Sequence, residues 1–99
     1  MELEKGTLVT IKGTAKFSKF IGIINYISSD MSINFKVLLR IENKRNILSF
    51  NNYITFRNLL ETSISETTDE EFDILRLELE YLGITIEEME GLFDIKVTG

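Results

Sequence analysis

Phe20-Ile21-Gly22-Ile23-Ile24-Asn25-Tyr26-Ile27 is the stretch that decides the fold class. Its isoleucines are stiff at χ1 and disfavour a helix, so the run reads as a strand. Gly22 inside it marks a bulge or a close approach of another backbone. Working outward, Thr7-Leu8-Val9-Thr10-Ile11-Lys12 lies between Gly6 and Gly13, with Val9 and Ile11 on one face and Leu8 and Thr10 on the other. Downstream, Phe35, Val37, Leu39 and Ile41 alternate with Lys36, Leu38 and Arg40, the pattern of a half-buried strand. Glu42-Asn43-Lys44-Arg45-Asn46 reads as a hairpin loop, Ile47-Leu48-Ser49-Phe50 as the return strand, Asn51-Asn52 as a turn and Tyr53-Ile54-Thr55-Phe56-Arg57 as a fifth strand. Short strands at this spacing predict a small curled barrel.

The rear of the chain changes character. Thr68-Asp69-Glu70-Glu71 fits a capping box, predicting a helix from Asp69 to Leu82 that Gly83 stops in the left-handed region. Thr85 and Glu88 form a second box, with Ile84 placed to staple onto Met89 and Gly91 expected to end that short helix. Phe93-Asp94-Ile95-Lys96-Val97 alternates like a closing strand, and the polar stretch Glu61 to Thr68 reads as a hinge. At 100° per residue, Phe72, Leu75, Leu79 and Leu82 share one stripe of the long helix. Ile74, Leu77 and Tyr81 form a second stripe nearly opposite. Two apolar stripes mean either that the helix is sandwiched between the sheet and the second helix, or that the second stripe is a homodimer or partner seam.

The expectation is therefore one α+β domain over residues 1–99: a five-stranded SH3-like barrel within 1–60, then an acidic helical pair and a short C-terminal strand within 66–99. Within it, Gly6-Thr7-Leu8-Val9-Thr10-Ile11 followed by Phe20-Ile21-Gly22-Ile23-Ile24 resembles the KOW pattern of ribosomal and transcription-factor modules, over residues 6–57. Gly6 and Gly22 occupy the two glycine places of that pattern, while Thr14 to Lys19 replaces its compact Gly-rich loop. The resemblance implies an SH3-like barrel and a nucleic-acid-binding role.

Charge is divided along the chain. Residues 1–58 carry nine Lys/Arg against four Asp/Glu, a balance of +5, whereas residues 59–99 carry two against twelve, a balance of −10. The absence of Cys excludes disulfides and thiolate chemistry, and the absence of His removes the commonest general base and zinc ligand. Asp69, Glu70 and Asp73 could suggest a Mg²⁺ site, and Ser28-Ser29-Asp30 a nucleophile. A solvated helix face and a turn explain them without chemistry, so no catalytic residue, metal or cofactor is assigned. No apolar run approaches the ~20 residues of a membrane span. Met1-Glu2-Leu3-Glu4 does not read as a signal peptide, and the expected address is cytoplasmic. Fourteen Ile, seven Asn and no Pro or Trp point to an AT-rich coding source such as a low-GC bacterium or its phage.

Binding remains. Glu66, Asp69, Glu70, Asp73, Glu80, Glu87 and Glu88, with Glu78 and Glu90, would project negative charge toward a basic protein partner. Phage-type inhibitors and nucleic-acid mimics, anti-CRISPR proteins among them, resemble this chain in size, acidity and lack of catalytic residues. The alternative uses the basic front: Lys16, Phe17 and Lys19 in one loop and Lys44 and Arg45 in another, gripping nucleic acid beside Phe20, Tyr26 and Tyr53. A third possibility is a homo-oligomeric structural or adaptor protein of a phage or mobile element, joined through Ile74, Leu77 and Tyr81. An acidic face kept for solubility, and basic residues neutralised by the acidic helices of the same molecule, are the plain counter-readings.

Overall fold

The structure is a computed structural model that describes residues 4–13, 19–30, 32–57 and 63–93, except for the side chains of residues 50, 51, 92 and 93. Its elements are β1 (Leu8–Lys12), β2 (Lys19–Ile27), β3 (Ile33–Glu42), β4 (Arg45–Phe56), β5 (Ile64–Glu66), α1 (Asp69–Tyr81) and α2 (Ile86–Phe93). The strands form one antiparallel sheet in the order β4-β3-β2-β1-β5, followed in sequence by the two helices. Among the described residues the sheet is not closed.

It is nevertheless strongly coiled. Phe20 pairs with Arg40 of β3, and Phe56 pairs with Ile33, seven positions further back on the same strand. A flat sheet would hold these rings roughly 20 Å or more apart. Their centroids are instead 6.1 Å apart, and Phe56 also meets the Phe35 ring edge-on at 6.0 Å. Val9, Ile11, Ile24, Ile33, Phe35, Val37 and Ile64 pack around them on the concave face. The opposite face buries Ile21, Ile23, Leu38 and Leu39 against Leu75 and Leu79 of α1 and Met89 of α2. The centre of the sheet is covered on both sides, which is why its strands contain continuous apolar runs such as Val37-Leu38-Leu39.

Irregularities make the coil possible. Ile21 and Gly22 pair with Leu39 and Val37, so the extra residue there, Leu38, belongs to β3, and a Cβ on Gly22 would overlap the Lys36 carbonyl oxygen and lie 2.8 Å from Cζ of Phe35. The close approach expected at this glycine is present, and the bulge lies opposite it in β3 rather than in its own strand. A second shift, between Val37 and Leu39, separates partners Asn52 and Leu48, so β4 carries extra residues there. The two shifts correct two expectations. Asn51-Asn52 is no turn, because pairing with β3 resumes on both sides and the polar break is absorbed as a bulge in one continuous strand. Phe35 and Val37 also do not share a face with Leu39 and Ile41, because Leu38, the residue of β3 left extra against β2, breaks the alternation and places the second pair on the helix side.

The hairpin joining β3 to β4 is tighter than expected. Glu42 pairs directly with Arg45, and Asn43 and Lys44 both adopt positive φ, at 46° and 64°. These values define a two-residue type I′ turn, whose twist matches the strands it joins. The predicted hinge also differs: within Glu61 to Thr68, residues Ile64–Glu66 pair with Ile11, Thr10 and Val9 of β1. One apolar residue in a three-residue strand leaves no alternation for a sequence pattern to reveal.

Helix boundaries follow the local signals. Thr68 and Glu71 form the full reciprocal capping box. At the other end, the amides of Gly83 and Ile84 donate to the carbonyls of Glu80 (2.9 Å) and Leu79 (3.0 Å), a Schellman motif with Gly83 at φ 74°. Thr85 caps α2 by accepting from the Glu88 amide at 3.1 Å. Gly91 does not end α2, which continues to Phe93; a glycine without positive φ can remain helical at only a modest energetic cost. Phe93 is therefore helical rather than the start of a closing strand, and residues 94–97 of that expected strand lie outside the described residues.

Candidate functional site

Docking through Leu75 and Leu79 turns the opposite side of α1 to solvent, and docking through Met89 does the same for α2. Asp69, Glu70, Asp73 and Glu80 are accordingly exposed, as are Glu87 and Glu88, with Glu66 at the end of β5. Asp73 and Glu80 share Arg76 of their own helix, each at 3.4 Å. Among the described residues, Glu66, Asp69, Glu70, Glu87 and Glu88 make no ion pair. Asp69, Glu70 and Asp73 do not converge as metal ligands; among the described residues no three acidic side chains do.

One acid behaves differently. Glu71 is 8% exposed, and its Oε1 accepts from the Thr68 amide (3.0 Å) and the Thr10 hydroxyl (3.2 Å). Its Oε2 lies 3.5 Å from Lys19 Nζ. Burial pushes this carboxyl up, but the Thr68 amide and hydroxyl, Lys19 and Thr10 together hold it below its ordinary value. A carboxylate stabilised in its charged form is a poor general base near neutrality, so these contacts anchor the start of α1 to β1 and β2. The anchor borders a groove of about 330 Å³ that also includes Lys12, Ser65 and Glu70. Capping logic identifies Glu71 in the sequence, but its partners Thr10 and Lys19 lie more than fifty residues away and carry no local signal.

The predicted basic sites divide. Lys16 and Phe17 lie outside the described residues. Lys19 belongs to β2 rather than to a loop, and it pairs with Glu71. Lys44 is exposed in the hairpin turn, and Arg45 is exposed as the first residue of β4. Register brings Lys19, opposite Ile41, to the same end of the sheet as that turn. Neutralisation of the basic front by the helices is thus realised at Lys19, whereas Arg40 pairs within the sheet, with Glu42 at 3.3 Å.

The aromatics divide as well. Phe20 packs against the concave core, whereas Tyr26 and Tyr53 are 52% and 49% exposed, and the Lys36 ammonium lies 5.4 Å from the Tyr53 ring centre. Beside Tyr26, a groove of about 410 Å³ is bordered by Ser28, Asp30, Ser32, Thr55 and Arg57. Here the Ser28 hydroxyl donates to Asp30, as does the Ser32 amide at 3.1 Å, lowering the Asp30 pKa to about 2. Such an acid is too weakly basic to activate the serine, and the contacts are those of a turn closed by the Ser28 amide on the Ser32 carbonyl at 2.9 Å.

The second stripe of α1 is split. Ile74 packs against the helix-side core, while Leu77 is 50% and Tyr81 85% exposed. Leu82, expected on the inward stripe, is the C-cap residue and is 58% exposed. The expected sandwich of α1 between the sheet and α2 is not formed, because α1 lies on the sheet with Leu77 and Tyr81 exposed on its outer side. No helix among the described residues is long and apolar enough to cross a membrane. Comparison with protein-family models, curated proteins and solved structures finds no match to this chain.

Proposed function

We propose that this chain is a small, cytoplasmic, non-catalytic binding protein whose acidic helical surface engages a basic protein partner, in the manner of a phage-type inhibitor or nucleic-acid mimic. The observation that carries the reading is the set of five exposed carboxylates, Glu66, Asp69, Glu70, Glu87 and Glu88, that form no ion pair among the described residues. They stand on elements whose other side is fixed in a core, so their spacing is held before any partner arrives. Such fields raise association rates by roughly 10–10³ and lose that effect as salt rises. On this reading the coiled sheet, an SH3-like scaffold, serves to hold the helices.

The test combines Glu66→Gln, Asp69→Asn, Glu70→Gln, Glu87→Gln and Glu88→Gln. Wild type is expected to retain a basic protein from a nuclease-treated low-GC bacterial lysate, identified by mass spectrometry. The neutralised chain should bind that purified protein at least about tenfold more weakly in low salt. Equal binding by both chains refutes the proposal. A second reading is favoured by the exposed rings of Tyr26 and Tyr53, the latter with the Lys36 ammonium 5.4 Å from its centre, which would stack single-stranded nucleic acid. Binding of an oligonucleotide that weakens with salt and is lost in Tyr53→Ala would support it instead.

A further inference from the structure

Exposed apolar side chains on a helix already docked through its other face need an explanation. Leu77 and Tyr81 stand one turn apart on α1, 50% and 85% exposed, and continue the line begun by the half-buried Ile74. From Ile74 to Tyr81 the line runs about 10 Å along the helix axis, the length of two turns. Its surroundings are acidic: Glu70 stands one turn before Ile74, Glu78 lies on one side, and Asp73 and Glu80 on the other. The one cation on α1 itself is Arg76, which Asp73 and Glu80 already share, while Glu78 accepts from Asn46 Nδ2 at 3.3 Å beside Lys44 and Arg45 of the hairpin.

From this charge pattern we infer that the Leu77–Tyr81 strip is the contact point for an amphipathic helical segment of a basic partner, with apolar residues three or four apart between flanking Lys or Arg. The inference rests on the acidic-surface reading and adds to it where the apolar anchor sits. Burying the two side chains supplies contact energy that salt does not screen, while the flanking acids set the sign of the partner. A second copy of this chain is the poorer occupant. Any two-fold pairing through the strip sets Asp73, Glu78 and Glu80 of α1 against the same acids of the second copy, and the one cation of α1, Arg76, is already shared by two of them.

The experiment uses the full chain and three fluorescent peptides of about 14 residues, or four helical turns: an amphipathic Leu/Lys helix, a scramble of the same composition and a lysine homopolymer. The amphipathic peptide is expected to bind about tenfold or more tightly than the scramble, the equivalent of about 1.4 kcal/mol. Combined Leu77→Ser and Tyr81→Ser should erase that preference, leave binding of the homopolymer unchanged and leave the thermal melt intact. Amide shifts of the wild-type chain on adding the amphipathic peptide should centre on residues 74–82, which tests the strip without any variant. Equal affinity for amphipathic and scrambled peptides, or shifts centred elsewhere, overturns this inference while the acidic reading stands. Failure of all three peptides to bind in low salt overturns both. Sedimentation showing a dimer that tightens with salt and is broken by Leu77→Ser assigns the strip to a second copy and also overturns the inference.

Discussion

Replacing Gly22 with alanine adds one carbon at the tightest crossing in the sheet. That carbon would overlap the Lys36 carbonyl oxygen and press on the Phe35 ring at 2.8 Å. The carbonyl is backbone in the paired strand and cannot swing away, and Phe35 is fully buried. β2 and β3 must therefore separate where Gly22 faces Val37. Overpacking of this kind costs about 1–3 kcal/mol, and weakening one ladder hydrogen bond adds about 1. The lower unfolded-state entropy of alanine returns about 0.5–1 kcal/mol. The net loss is about 1–3.5 kcal/mol, which for a domain near 100 residues lowers the melting temperature by about 4–28 °C. Circular-dichroism melts and urea titration of Gly22→Ala against wild type measure it. A melting temperature within about 2 °C of wild type would refute the close-approach argument and the coiled sheet built on it.

Gly91→Ala is the matching control, because a Cβ there meets nothing within 4 Å and α2 continues past it; it should raise stability by about 0.5–1 kcal/mol in the same melts. Lys44→Gly should add about 0.5–1 kcal/mol, since Lys44 holds φ 64° in the hairpin turn; urea midpoints would show it. Glu71→Gln should cost about 1–2 kcal/mol at pH 7, where the carboxylate accepts from Thr68 and Thr10 and faces Lys19. Because the folded carboxyl is held below its unfolded value, that advantage is complete above the unfolded pKa and fades as pH falls through the folded one. Urea titrations from pH 7 to pH 3 should show the gap between wild type and variant closing. Leu79→Ala, in the core between α1 and the sheet, should lose about 2–5 kcal/mol by urea titration.

These predictions draw on features that differ in how far they could be read in advance. Where each helix starts was legible, because the caps at Thr68 and Thr85 close within one turn. Which apolar stripe of α1 would be buried was not. Two stripes of similar hydropathy leave the choice to the shape of the opposing surface, and the sheet accepted Leu75 and Leu79 with Ile74 at the edge. Lys19 was misplaced for a related reason. A lysine beside Phe20 reads as a loop residue until Glu71 is brought to it from another part of the chain.

By itself, the sequence determined what is settled within about five residues: both helix starts, the Gly83 stop and the strand character of the front. Those outcomes depend on backbone hydrogen bonds and rotamer sterics that close locally. Tertiary structure decided the pairing of Ile64–Glu66 with β1, the bulge that redirects Leu39, the Glu71 anchor and the exposure of Leu77 and Tyr81. Each depends on partners distant in sequence, whose meeting follows from how the whole sheet coils and is recorded in no short window of residues.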